Sequence, residues 1–210
     1  MYQPRLFRED DRARIHDLIE AHSFGALVVV PPGGEPEISH LPLSLDRNAG
    51  AHGRLRLHVA RANPIWKAAL AAGQALAVFT GPHAYVSAGW YEVPTEQVPT
   101  WNYAVVHARG TPTEMTGDEL ARLLDDLVAA NEGEGEDAWR TSLLAPGFRD
   151  ELLPQIVGLS IEITKLDAKF KLSQNRSAVD RARVVDALRA RGRTEDLDLV
   201  ELMSPRTTRG

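Results

Sequence analysis

The stretch Leu57-His58-Val59-Ala60-Arg61-Ala62-Asn63-Pro64-Ile65-Trp66 decides how this chain is read. Leu57 and Val59 alternate with His58, which marks a half-buried strand, and Asn63-Pro64 then opens a helix. Asn63 is a favoured N-cap. Pro64 suits N1, where its missing N–H and fixed φ do no harm. Arg61 precedes the cap and Lys67 falls in the first turn. Cations there face the positive end of the helix dipole, a mildly unfavourable placement. Backbone N–H groups beside two cations suit an anion such as phosphate. An ordinary capped helix with two solvated cations explains the same residues, and on this segment alone it is the commoner outcome.

Outward from this corner the chain alternates short strands with helices. An amphipathic helix is expected from Asp10 or Asp11, with Ile15, Leu18 and Ile19 on one face. Phe24–Val30 and Glu37–Leu45 read as a hairpin around Pro31-Pro32-Gly33-Gly34. Arg54–Ala60 is the strand entering the corner, and the corner helix ends at Gly73, a C′ glycine. Gln74–Thr80 is a strand that Gly81-Pro82 should break, and Thr100–Thr113 is a long strand. Thr116 and Glu119 form a capping box ahead of Leu120, Leu123, Leu124, Leu127 and Val128. Asn131–Asp137 reads as a loop.

Gln155–Phe170 is the longest strand candidate. Its apolar positions run Val157, Leu159, Ile161 and Ile163, then switch to Leu166, Ala168 and Phe170. That slip near Thr164-Lys165 is what a bulge does in a bending strand. A last helix covers about Ser177–Arg191. Residues 1–200 are expected to form a single domain, with 201–210 a disordered tail. Hairpin-like connections with inserted helices indicate an antiparallel barrel rather than a parallel α/β sheet.

Composition narrows the function classes. The chain has 210 residues, 43% hydrophobic and 25% charged, as in soluble globular domains. It has no cysteine, which removes disulfides, thiol catalysis and cysteine zinc sites. The net charge of −5 argues against a generally basic nucleic-acid binder. No run has membrane-spanning length and no signal pattern opens the chain, so a cytoplasmic protein is expected. The seven histidines show no metal-ligand spacing.

Four segments concentrate polar and aromatic groups: Ser39–Pro42, His58–Lys67, Gly81–Ser87 with its continuation to Tyr103, and Lys169–Arg176. Trp90, Tyr91, Trp101 and Tyr103 suit an interface between subunits, a stacked ligand or a satellite core, in that order. Lys169, Lys171, Gln174, Asn175 and Arg176 place donors at a strand end, fit for an anion or equally for solvent. The arginines at 181, 183, 189, 191 and 193 are offset by acids, so a solvated helix face is expected rather than a DNA reader.

Six stretches, in order along nearly the whole chain, resemble the PaiB-type FMN-binding negative transcriptional regulators. They are Met1-Tyr2 with Pro4 and Phe7, Ser39–Pro42, His58–Pro64, Gly81–Ser87, Val98–Tyr103 and Lys169–Arg176. One departure is Ala88-Gly89, where the family more often shows Pro-Ser before Trp-Tyr; it bears on the backbone before Trp90. The resemblance implies a mainly β, α+β fold with inserted helices: an antiparallel split β-barrel of the FMN-binding type. It also implies a homodimer with FMN in two equivalent clefts between subunits.

Carried onto this sequence, Ser39, His40 and Leu41 would flank the flavin. His58, Val59, Ala60, Arg61, Asn63, Trp66 and Lys67 would form the junction at its phosphate, and Lys171, Gln174 and Asn175 would add contacts from the last strand. Tyr85, Trp90, Trp101, Asn102 and Tyr103 would lie at the dimer interface. The family name asserts repression, yet no helix-turn-helix is visible here. The alternative is a flavin-dependent oxidoreductase taking hydride from NAD(P)H for a small-molecule acceptor, with FMN doing the redox work and no catalytic base required of the chain. A third reading, haem held by His40, His58 or His83, fits the phosphate-directed corner least.

Overall fold

The computed structural model describes residues 1–133, 135 and 137–204. Alternating apolar residues build its strands: Arg8–Glu9 (β1), Phe24–Val29 (β2), Glu37–Pro42 (β3), Ser44–Asp46 (β4), Arg54–Ala60 (β5), Ala75–Val86 (β6), Thr100–Glu114 (β7) and Ile156–Lys171 (β8). They form one antiparallel sheet in the order β3-β2-β6-β7-β8-β5-β4, with β1 on β8. Six α-helices are interspersed: Arg12–Ala21 (α1), Ile65–Ala72 (α2), Gly117–Glu132 (α3), Phe148–Leu152 (α4), Ala178–Arg191 (α5) and Thr194–Met203 (α6). The α+β, antiparallel expectation holds. Two compact units share the chain. Unit 1 takes Met1–Leu18, Thr80–His107 and the described residues from Asp167 onward, and unit 2 takes Ile19–Phe79 and Ala108–Leu166.

In unit 2, β2 and β3 pair as the predicted hairpin, from Phe24↔Pro42 to Val29↔Glu37. β5 lies antiparallel on β8, from Arg54↔Glu162 to Ala60↔Ile156. Their inward residues Leu27, Leu55, Leu57 and Leu159, with Phe79 of β6, are fully buried. Burial of each such side chain is worth about 1.5–3 kcal/mol. Gly110 of β7 passes so close to β8 that a Cβ there would stand 2.2 Å from the Glu162 carbonyl oxygen. The capping box starts α3 as expected, with the Glu119 N–H donating to Thr116 Oγ1 and the Glu119 carboxylate accepting from the Thr116 N–H.

In unit 1, β1 pairs with the end of β8 through Arg8↔Lys169 and Glu9↔Ala168. Ser177 caps α5 by accepting from the Asp180 N–H. Helices α5 and α6 bury Val184, Leu188, Leu199, Val200 and Met203. Between them Asp196, 1% exposed, accepts from both Arg191 Nε and Nη2.

Three local expectations change. Glu37–Leu45 is not one strand: it breaks at buried Leu43, whose N–H donates to the Ser23 carbonyl. Gly81-Pro82 does not end β6. The ladder to β2 covers only Leu76–Val78, so Pro82 removes none of its hydrogen bonds. Gly81 is required by close packing instead, since a Cβ there would stand 2.8 Å from Leu18. Residues 201–203, expected in the tail, belong to α6; positions 205–210 of that expected tail lie outside the described residues, as do Glu134 and Glu136 of the expected loop. The phase slip in β8 is present, with Thr164 and Lys165 both exposed in succession.

Candidate cofactor site

The β5–α2 corner forms as its sequence dictates. Asn63 Oδ1 accepts from the Ile65 N–H at 3.0 Å, and Pro64 follows with φ −68°. Gly73, left-handed at φ 65°, closes the helix. The other end of the Asn63 amide donates to Ser39 Oγ at 3.2 Å, which ties β3 to the corner. Trp66 Nε1 donates to the Arg61 carbonyl at 3.1 Å, turning the indole back on the strand end. Lys67 is exposed, its ammonium 5.3 Å from the Trp66 ring centroid, and no acidic residue stands in the first turn.

Arg61 is placed differently from the sequence reading. Its Nε donates to the Pro154 carbonyl at 2.6 Å and its Nη2 to the Ile156 carbonyl at 3.0 Å. The guanidinium therefore clamps the start of β8 and shapes the corner. Lys67 remains as the cation open to an anion.

The other unit 2 residues divide by strand face. Leu41 and Val59 point inward, at 6% and 5% exposure, so any contact they offer is through backbone. His40 and Ala60 are exposed on the opposite face. His58 is half-buried, and burial lowers its imidazole pKa, which keeps the ring neutral near pH 7.

Unit 1 gathers the end of β8 with the aromatic loop. Lys171 Nζ donates to Thr100 Oγ1 and to the Trp101 carbonyl at 2.6 Å. Burial, then the like charges of Lys169 and Arg176, hold its amine below the ordinary range. Trp101 and Tyr85 are exposed at 53% and 42%, with ring centroids 6.1 Å apart, edge to face. His83 lies 6.2 Å from Trp101. Gln174 is spent within its own turn, accepting from the Leu172 N–H and donating to the Phe170 carbonyl. Asn175 is exposed.

Asn102, expected at an interface, is 1% exposed, with its amide on Ser173 and Met203. It is an interior group of unit 1. Arg191 lies over the half-buried Trp90 ring, 5.1 Å from its centroid, and Lys169 lies 5.5 Å from the centroid of half-buried Tyr103. Sequence reading missed Thr100 as the partner of Lys171 and Ser173 as a left-handed residue at φ 61°. A separation of 71 residues conceals the first, and only a glycine or asparagine would have signalled the second.

A family model described as "Putative FMN-binding domain" matches residues 1–165. The chain belongs to this FMN-binding domain family. FMN is the cofactor that goes with it, and the donors of the corner fit: a hydroxyl, an amide and an unopposed lysine, with no carboxylate in the first turn. The FMN-binding domain chain is 34% identical to the Bacillus subtilis protein named Protease synthase and sporulation protein PAI 2, over 97% of this chain and 96% of that one. This bears out the PaiB-type resemblance.

Among solved structures, the flavocytochrome Anf3 from Azotobacter vinelandii superposes with TM-score 0.65 at 14% identity, covering 87% of this chain and 78% of that one. The FAD and heme binding protein from Mycobacterium smegmatis gives 0.61 at 18%, covering 83% and 78%. At such identities they establish the fold, the split barrel expected from sequence. No helix among the described residues is long and apolar enough to cross a membrane, and none of their His, Asp and Glu side chains group as a metal site.

Proposed function

We propose that this protein is a cytoplasmic FMN-binding regulator of the PaiB type, holding the phosphate end of FMN at the β5–α2 corner and the flavin between two copies of the chain. The observation that carries this is the Asn63–Ser39 bond beside an exposed Lys67. Lys67 supplies positive charge, Ser39 a hydroxyl, and the first turn of α2 its N–H groups. Arg61 is a positioning residue, holding the corner open through the Pro154 and Ile156 carbonyls. In unit 1, Lys171 ends the last strand and Asn175 follows it, both expected as flavin contacts, with Gln174 keeping their turn in shape. Exposed Trp101 and Tyr85, with Trp90 and Tyr103 beside them, form the face that a second copy covers.

FMN, when bound, supplies reversible two-electron chemistry. Titrating the chain with FMN while recording flavin absorbance, with light scattering for mass, tests the proposal. Saturable binding by a dimer is expected; a monomer indifferent to FMN at micromolar concentration refutes it.

A second reading, an oxidoreductase using NAD(P)H, is favoured by how the C-terminal arginines are deployed. Arg181 donates to the Met203 carbonyl, Arg183 to Trp90, and Arg191 to Asp196 and Tyr85. Groups so engaged are withdrawn from a nucleic-acid backbone. Steady NADPH consumption with an added acceptor supports this reading, and no turnover across a panel of acceptors counts against it.

A further inference from the structure

Unit 2 holds a partly open cavity of about 1020 Å³ that borders the corner through His58 and Ile156. Its roof is the inner stripe of α3, with Leu124 and Leu127, and the segment carrying Trp139 and Leu152. Strand residues close its other side, among them Pro42, Ser44, Leu45 and His58. The volume is that of a site for a small molecule rather than a packing defect.

The charges around it are largely closed on the protein. Glu20 is paired with Arg47. Arg149 donates to Asp125 at 3.0 Å and to the Ala121 carbonyl at 2.6 Å, and Thr141 gives its hydroxyl proton to the same carboxylate. Glu132, exposed at the end of α3, adds negative charge at the mouth. An anion meets repulsion there, and a cation finds no carboxylate on the strand side.

We infer that this cavity is a binding site for an uncharged, largely apolar small molecule that makes a hydrogen bond to His58. A neutral imidazole offers one donor and one acceptor on a side that is mainly apolar, with Phe24, Pro42, Leu45 and Ile156. Pairing with Glu20 and Asp125 partly neutralises the Arg47 and Arg149 charges, so a charged ligand regains less than the hydration it would lose on entering. The inference does not rest on the flavin reading.

The test uses the full chain with N-phenyl-1-naphthylamine, an uncharged apolar fluorophore, and with 1-anilinonaphthalene-8-sulfonate, which carries an anion on a similar ring system. The neutral probe is expected to bind saturably, one per chain, with blue-shifted emission and energy transfer from Trp139. The sulfonate is expected to bind at least about tenfold more weakly. Trp139→Phe keeps the binding and loses most of the transfer. Leu127→Trp and, independently, Leu124→Trp fill the space and weaken the neutral probe at least about tenfold, with FMN titration unchanged.

The inference is overturned by non-saturable binding, by equal affinity for the sulfonate, or by transfer that survives Trp139→Phe. It is also overturned if either leucine variant retains the native circular dichroism spectrum and binds the neutral probe as the parent does. If Leu127→Trp instead splits an oligomer of the parent chain, the cavity is a surface between copies and the small-molecule assignment falls.

Discussion

Replacing Arg61 by alanine separates two roles that one arginine could have at the corner. The structure gives its guanidinium two charge-assisted bonds, to the carbonyls of Pro154 and Ile156. Such bonds are worth about 1.5–3 kcal/mol each when desolvated. Arg61 is exposed, so about 1 kcal/mol each is the appropriate figure, and about 2 kcal/mol in total. For a chain of this size that lowers Tm by about 4–8 °C in scanning calorimetry of the cofactor-free protein. Arg61→Lys keeps the charge but cannot span two carbonyls, and recovers less than half of the loss. Lys67→Ala, by contrast, leaves the Tm of cofactor-free protein unchanged and weakens FMN about tenfold, the loss of one charged contact to phosphate. The reasoning fails if Arg61→Ala leaves Tm unchanged while FMN affinity drops tenfold or more, for then the guanidinium grips phosphate directly.

Asp196→Asn leaves Arg191 without its carboxylate in a nearly closed setting, and should reduce stability by about 3 kcal/mol, or about 6–12 °C in Tm. The Arg191 hydrogen bond holds the Asp196 carboxyl below its ordinary range. Its stabilisation is therefore whole above about pH 4 and lost as pH falls through the lower folded value, so acid unfolding of the Asn variant should show a flatter pH dependence in that range. His58 also weakens the fold on acidification, in a higher pH range. Its lowered pKa means the unfolded chain binds the proton first, so stability falls as pH drops below about 6.5, and His58→Gln should flatten Tm against pH there. Gly110→Ala drives a methyl group into the Glu162 carbonyl and should cost about 2–3 kcal/mol in urea unfolding; a loss under about 0.5 kcal/mol refutes the close approach.

What the sequence revealed was local. The Thr116–Glu119 box, the Asn63 cap, the helix near Ser177–Arg191 and the alternation of Leu55, Leu57 and Val59 all read correctly, because each depends on neighbours within a few residues. The slip at Thr164-Lys165 was legible for the same reason. Failures came where a distant partner decides. Pro82 lies beyond the rungs that β2 shares with β6, which no window around Pro82 records. Arg61 finds carbonyls 93 and 95 residues away, and Asn102 turns inward to Ser173 and Met203. The segment from Thr141 to Gln155, with α4 and two short 3₁₀ turns, carries no periodicity long enough to see.

Unit 1 is discontinuous, and this sets a timetable for biosynthesis. Gln3 needs the Ala168 carbonyl, Arg8 pairs with Lys169, and Arg14 reaches the Leu202 carbonyl. The opening eighteen residues must therefore wait for the last forty, a delay of roughly ten to thirty seconds at ordinary ribosomal speed. A nascent chain halted at Leu166 would still lack the partners of Gln3, Arg8 and Arg14, whereas the segments of unit 2 would already be in hand.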